Sequence, residues 1–148
     1  MTSAPEIFAT QPTLRPLQGS PAAVRWFKIV MWLGIIANIV CAIISIVSID
    51  AVLSFLRLEP AQPLVWPRFA AFLLILLSIF YIPSAIDPLR YRYSAIIAIL
   101  CRFAGVTFFS IVGGKYLLFG LFDFTFGLPQ AILWLIAWRS TQGNIEGR

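Results

Sequence analysis

The chain has 148 residues, of which 60% are hydrophobic and 11% are charged, and its formal net charge is +5. This composition lies outside the range of soluble domains and predicts a one-domain integral membrane protein. The basic residues flank apolar segments, where they indicate membrane topology, so nucleic acid is not expected as a partner. The absence of histidine excludes haem ligation through histidine, zinc sites that contain it and Ser-His-Asp triads.

The N-terminal part of the chain combines a polar tail with a first apolar run. Residues 1–25 are rich in Pro, Ser, Thr and Ala without helical periodicity, which predicts a flexible tail. The apolar run at about 29–49 is too long for the core of a signal peptide and is expected to be retained as a transmembrane helix. Small or polar residues recur along it at spacings of four and three, predicting a face that points toward other helices: Gly34, Asn38, Cys41, Ser45 and Ser48.

Three further apolar runs come after it, at about 69–86, 94–112 and 116–138. Each can cross ~30 Å of hydrocarbon at a helical rise of ~1.5 Å per residue. The segment 50–68 either prolongs the first helix or lies along the outer surface before its prolines break it. We therefore predict an all-α fold: a polytopic membrane protein with four transmembrane helices in an antiparallel bundle, spanning residues 26–139.

The C-terminal segment, residues 140–148, is predicted to be a tail. Its last four residues, IEGR, match the recognition sequence of factor Xa, a protease used to remove purification tags. Residues 145–148 are therefore interpreted as a protease-site scar, with a native terminus as the alternative.

Lysine and arginine are shared unequally between the two sides of the predicted bundle. Near the span ends, the side with both termini and the loop between the second and third spans carries six of them, and the opposite side carries three. The six are Arg15, Arg25, Lys28, Arg90, Arg92 and Arg139, and the three are Arg57, Arg68 and Lys115. The positive-inside rule places both termini in the cytoplasm, and the expected location is a bacterial inner (plasma) membrane.

One arginine lies inside the third span and needs polar partners. Counted from the cytoplasmic ends, each span has a polar residue at a depth of ~12–15 Å, which predicts an intramembrane layer of Asn38, Ser78, Arg102 and Gln130. Asp123 is the predicted charge partner of Arg102, directly or through water, because an unpaired charge in the membrane costs at least ~2.5–3.5 kcal/mol. Two interpretations stay open: a structural clasp between the third and fourth helices, or a site for an anion, a lipid headgroup or a proton path.

The loop between the second and third spans has a basic character. Asp87, Arg90 and Arg92 lie there among tyrosines, at the predicted cytoplasmic surface. The loop is interpreted either as a binding surface for anionic lipid headgroups or a partner protein, or as ordinary positive-inside anchoring.

Catalysis finds little support in the sequence. No serine lies beside a base, no carboxylate pair shares a helix face, and Cys41 and Cys101 lack metal-ligand or C-x-x-C spacing. We therefore assign no catalytic, cofactor-binding or metal-binding residue.

The predicted function is a non-catalytic accessory subunit or assembly factor of a larger membrane complex. The alternative is a small oligomeric binding or transport protein for a lipid-like or anionic ligand held near Arg102. Membrane lipids and either a protein partner or further copies of the chain are the expected partners.

Overall fold

The computed structural model describes residues 20–60 and 62–146, with side chains up to residue 142. All regular structure within these ranges is helical. The elements are α1 (Pro21–Val47), α2 (Ile49–Phe55), α3 (Val65–Ile86), α4 (Arg92–Val112), a 3₁₀ turn (Gly114–Tyr116) and α5 (Leu117–Glu146). Four of them, α1, α3, α4 and α5, are long and apolar enough to cross a membrane. The predicted all-α fold with four such helices is thereby confirmed.

The first helix begins earlier than the apolar run suggests. α1 starts at Pro21, whose fixed φ and missing N–H suit the first turn of a helix. Residues 21–25, predicted as the end of the flexible tail, are therefore helical. Residues 1–19 of the predicted tail lie outside the described part of the chain. Ser20 is described and directly precedes the helix.

The last helix also runs past its predicted end. α5 continues to Glu146, so residues 140–146 of the predicted tail are helical. A helix of 30 residues is about 45 Å long, which exceeds the ~30 Å hydrocarbon thickness. Residues 147 and 148 of the suggested protease site lie outside the described range.

Two breaks in the backbone end the helices α1 and α4. Ser48 leaves the helical region, with φ −137° and ψ 55°, so that α2 is a separate short helix and does not prolong α1. After α4, Gly113 and Gly114 adopt φ values of 71° and 59°. Glycine takes up this left-handed conformation without steric cost, and the chain therefore enters α5 within a few residues of leaving α4.

The helices associate mainly as two pairs that contact each other. α1 packs along α3, α4 packs along α5, and α1 also contacts α5. Lipid tails are as apolar as the side chains of the helices, so helix association in a membrane has no hydrophobic driving force. The packing is stabilised instead by dispersion and by close approach of the backbones. The buried core is drawn from three helices: Phe27, Met31, Ile35, Tyr81, Ala85, Ala95, Ala98 and Ile99.

The outer surface of the bundle is apolar. Phe80 and Ile111 are 74% and 80% exposed, and Leu33 and Ile36 each expose more than half of their area. Such extensive exposure of large apolar side chains is unfavourable in water and suits a lipid environment. Together with the four long helices, it indicates an integral membrane protein.

Burial is concentrated in one half of the bundle. Within α4, Arg102 is the last buried residue, and the ten residues after it are partly or fully exposed. In α3, every buried residue except Ala71 lies at or beyond Ser78. Arg102 therefore lies at the boundary between the tightly packed half and the loosely packed half.

Candidate functional site

Arg102 and Asp123 form a direct ion pair between α4 and α5. Nη1 of Arg102 lies 2.9 Å from Oδ1 of Asp123 and donates a hydrogen bond to it. The arginine side chain is 3% exposed and the aspartate side chain 23% exposed. The predicted contact is thus confirmed in its direct form, and a charge-assisted hydrogen bond of this kind is among the stronger ones.

The register of the two helices explains how the pair meets. A Cβ placed on Gly127 would lie 3.0 Å from the Cβ of Arg102, so these two positions face each other directly. Asp123 is one helical turn away from Gly127 and faces Gly105 instead. The long arginine stem covers this one-turn difference, which the short aspartate side chain cannot do.

Three glycines, one from each of three helices, make room for the pair. A Cβ on Gly34 of α1 would lie 2.8 Å from Nη2 of Arg102. One on Gly105 would overlap the Asp123 carboxylate, and one on Gly127 would press on the arginine stem. Glycine at these positions lets the backbones approach closely enough to enclose the guanidinium group.

Two phenylalanine rings of α5 cover the guanidinium group. Its Cζ lies 5.1 Å from the ring centroid of Phe126 and 5.8 Å from that of Phe122. Cation–π contacts of this kind stabilise a desolvated charge by roughly 0.5–2 kcal/mol. This role of the two rings was not predicted from the sequence, although the spacing of four from Phe122 to Phe126 and on to Gln130 would have indicated a shared helix face.

Several buried polar atoms of the bundle have no hydrogen-bond partner among the described residues. They are Nε and Nη2 of Arg102, Oε1 of Gln130, Oδ1 of Asn38 and Nε1 of Trp134. Gln130 makes one weak contact, from its Nε2 to Sδ of Met31 at 3.7 Å. Most buried polar groups in proteins are paired, so these unpaired ones call for a physical explanation.

The predicted polar layer is buried, but its members are not joined into one network. Asn38, Ser78, Arg102 and Gln130 are all at most 3% exposed. Ser78 donates to the carbonyl oxygen of Leu74 in its own helix, at 2.8 Å, so its hydroxyl is satisfied without the other members. Among the described residues, no hydrogen bond links Asn38 or Ser78 to Arg102. Arg102 contacts Asp123 directly, and both Arg102 and Gln130 lie against Gly34 of α1.

The predicted inward face of α1 is only partly correct. Gly34 and Asn38 are buried as expected. Cys41 and Ser48 are exposed, and Ser45 satisfies its hydroxyl with the carbonyl oxygen of Cys41 at 2.8 Å. The face turns outward because α1 runs there into the loosely packed half of the bundle.

The basic loop packs against α1 and α5. Oδ1 of Asp87 accepts a hydrogen bond from the backbone N–H of Arg90, at 3.1 Å, which closes the turn. Leu89 is 7% exposed and packs with Ala23 of α1 and Ala137 of α5. The loop therefore has a defined conformation and is packed against the bundle.

The arginine side chains of this loop lie on aromatic rings while staying exposed. Cζ of Arg90 is 5.6 Å from the ring centroid of Tyr91, and Cζ of Arg92 is 5.1 Å from that of Tyr93 and 5.8 Å from that of Trp138. We call the charged groups around this loop the basic end: Arg25, Lys28, Arg90, Arg92, Arg139 and Asp87. Among the side chains that the structure describes there, Asp87 is the single acidic one.

A shallow apolar groove of about 390 Å³ lies on α4 and α5. Its lining consists of Val106, Ser110, Leu117, Leu118, Gly120, Leu121 and Phe124. Ser110 supplies the one hydroxyl, and no charged side chain takes part. The groove suits a lipid chain but offers no polar group for specific recognition beyond that serine.

Neither metal ligation nor similarity to known proteins assigns a chemistry to these sites. Within the described residues, no three His, Cys, Asp or Glu side chains lie close enough together to bind one metal ion. Comparisons of the chain with known protein families, with curated proteins and with solved structures find no match.

Proposed function

We propose that the protein is a small non-catalytic accessory subunit or assembly factor of a larger membrane complex, which it binds through the basic end. The observation that carries this proposal is the ordered conformation of that end. Leu89 is held between α1 and α5, and the guanidinium groups of Arg90 and Arg92 lie on aromatic rings. Ordering these side chains before binding lowers the entropy that association costs.

The topology that goes with this function is an antiparallel bundle with both termini in the cytoplasm of a bacterial cell, in its inner membrane. Contacts between α4 and α5 favour the antiparallel arrangement, because higher numbers in α4 pair with lower numbers in α5. Arg102 lies opposite Gly127, and Phe109 lies opposite Gly120. The backbone N–H of Ser20 donates to Oγ of Ser140, which favours ends of α1 and α5 on one side. The excess of Lys and Arg on that side favours the cytoplasm.

The partner that fits the basic end is an acidic protein surface. An arginine fork binds a carboxylate through two parallel hydrogen bonds, a geometry that lysine cannot reproduce. Anchoring to anionic lipid headgroups, by contrast, depends on positive charge near the surface and is met about equally well by lysine. Replacing arginine by lysine therefore separates docking on a protein from simple anchoring.

The test is native purification in mild detergent with quantitative mass spectrometry of the proteins that remain bound. The proposal expects a partner in near-stoichiometric amount with the unchanged chain, and its loss from an Arg90→Lys, Arg92→Lys variant. The matched control is Arg57→Lys, Arg68→Lys, which changes two arginines outside the basic end and should keep the partner. Purification of the unchanged chain without any stoichiometric protein, or full retention by the Arg90→Lys, Arg92→Lys variant, would overturn the proposal.

A second candidate function is a small, oligomeric binding or transport protein that holds a lipid-like or anionic ligand near Arg102. A specific observation favours it: Nε and Nη2 of Arg102 are buried and donate to no described residue. A clasp serving only stability would gain from pairing both edges of the guanidinium group, because an unpaired buried donor costs ~1–3 kcal/mol.

A further inference from the structure

Asp123 binds a single amino group of the Arg102 guanidinium. One edge of the guanidinium is therefore left without a partner among the described residues. Nη1 is the donor to Asp123, while Nε–H and Nη2–H lie on another edge of the same plane. These two N–H groups point in parallel and form the fork that binds two acceptor oxygens, or one oxygen shared between them. Cζ of Arg102 lies over the rings of Phe122 and Phe126, and these apolar side chains offer the fork no acceptor.

The unpaired fork and the Gln130 carboxamide meet at the same point of α1. A Cβ on Gly34 would lie 2.8 Å from Nη2 of Arg102 and 3.5 Å from Nε2 of Gln130. Asn38 follows Gly34 by four residues and lies on the same face of α1. The carboxamide oxygens of Gln130 and Asn38 are buried and accept no hydrogen bond from any described residue. Unpaired donors and unpaired acceptors thus come from three helices to one region.

This mixture of groups restricts the chemistry of a ligand. The fork of Arg102 requires an acceptor oxygen, whereas the oxygens of Gln130 and Asn38 require donors. An ionised carboxylate supplies acceptors alone and would leave the two carboxamide oxygens unpaired. It would also add a second negative charge beside Asp123, against a single arginine, in surroundings of low dielectric. An uncharged group with both a carbonyl oxygen and a hydroxyl satisfies both requirements.

We propose that Arg102, Gln130 and Asn38 bind the uncharged headgroup of a membrane amphiphile that carries a carbonyl acceptor beside a hydroxyl donor. This rests on the second candidate function and narrows its ligand from lipid-like or anionic to neutral. The carbonyl oxygen accepts from the Nε and Nη2 fork, and the hydroxyl donates to Oε1 of Gln130 or Oδ1 of Asn38. Asp123 keeps its place on Nη1, so that the bound site carries no net charge.

Three probes with the same chain length separate the possible chemistries. Monododecanoylglycerol is neutral and has an ester carbonyl and hydroxyls, methyl dodecanoate has the carbonyl without a donor, and dodecyl phosphate is anionic. Thermal unfolding of the full chain is followed in phosphatidylcholine nanodiscs, whose lipid has no hydroxyl, as each probe is added. We expect a saturable rise in Tm with monododecanoylglycerol and no comparable rise with the other two.

Variants then locate the binding. Gln130→Met keeps the length of the side chain but removes its carboxamide. If this variant does not fold, Asn38→Leu is used instead, because it removes the carboxamide on α1 with little change in side-chain size. Either should raise the half-saturating concentration of monododecanoylglycerol about tenfold, the change expected from one lost hydrogen bond. The matched control is Ser78→Ala, which removes a fully buried hydroxyl that bonds within its own helix. It should leave the half-saturating concentration unchanged.

The outcomes distinguish this inference from the function on which it rests. A rise in Tm with dodecyl phosphate alone would keep the second candidate function and overturn the neutral ligand. An equal response of the unchanged chain and the folded Gln130→Met and Asn38→Leu variants would place binding elsewhere and also overturn it. If no probe changes Tm, both the inference and the second candidate function are wrong.

Discussion

Asp123 faces Gly105, one helical turn away from the position opposite Arg102, and still forms a direct 2.9 Å ion pair with that arginine. The arginine stem covers the difference in height along α4 and α5. Because it arrives at the carboxylate from one side, it presents Nη1 to Oδ1 and leaves Nε and Nη2 directed elsewhere. A one-turn offset between two helices thus produces both the clasp and the unpaired edge.

The stability of this ion pair can be measured by a double-mutant cycle. Arg102→Ala and Asp123→Ala should each lower the free energy of unfolding by about 3–5 kcal/mol, because each leaves the other charge buried without its partner. The double change to Leu and Leu should recover most of this loss, since apolar side chains are compatible with the membrane interior. Thermal unfolding of the singles and the double gives the coupling energy. A coupling near zero would show that the pair does not act as a clasp.

Close packing at Gly127 predicts a strong effect of a larger side chain there. Gly127→Leu should prevent normal folding, because even a Cβ at this position would lie 3.0 Å from the Cβ of Arg102. The matched control on the same helix is Thr125→Leu, since Thr125 is exposed and its hydroxyl bonds only to the carbonyl oxygen of Leu121. Size-exclusion chromatography and thermal unfolding in detergent compare the two. A Gly127→Leu protein as stable as the control would contradict the packing of α4 on α5.

The burial of Leu89 predicts that the conformation of the basic end depends on it. Leu89→Ala should lower the free energy of unfolding by about 2–5 kcal/mol, the range for truncating a buried leucine. The same variant should also retain less of the partner in native purification, because Arg90 and Arg92 would lose their fixed positions. Leu33→Ala, at a residue that is 54% exposed, is the control for both measurements. Normal partner retention by a measurably loosened Leu89→Ala protein would show that docking does not require an ordered loop.

The proposed topology predicts which loops a membrane-impermeant thiol reagent reaches. In a chain whose Cys41 and Cys101 are replaced by serine, single cysteines are introduced at Arg139 and at Gly114. In intact cells we expect labelling at position 114 and not at 139, and in inverted vesicles the reverse, because Lys and Arg are in excess on the side of position 139. Labelling of both positions from one side would contradict the antiparallel arrangement.

The sequence by itself determined the number of membrane-crossing helices and the identity of the buried ion pair. Apolar runs of about 20 residues specify spans through length and composition alone, and these are local properties. Arg102 and Asp123 could be paired because an unpaired charge is unfavourable in every span, whichever way the helices pack. Hydropathy did not locate the helix ends, since α1 and α5 continue past the apolar runs to Pro21 and Glu146.

Only the tertiary structure decided which side of each helix is covered, and which edge of Arg102 is used. Periodicity placed Gly34, Asn38 and Cys41 on one face of α1. It does not show how far along α1 a neighbouring helix covers that face. The structure shows Arg102 and Gln130 against Gly34, while Cys41 is exposed. Likewise, the offset between Arg102 and Asp123 depends on the register of α4 against α5, which is set by the close contacts at Gly105 and Gly127. Register and coverage arise from contacts between residues far apart in the chain, and for this reason no local pattern contains them.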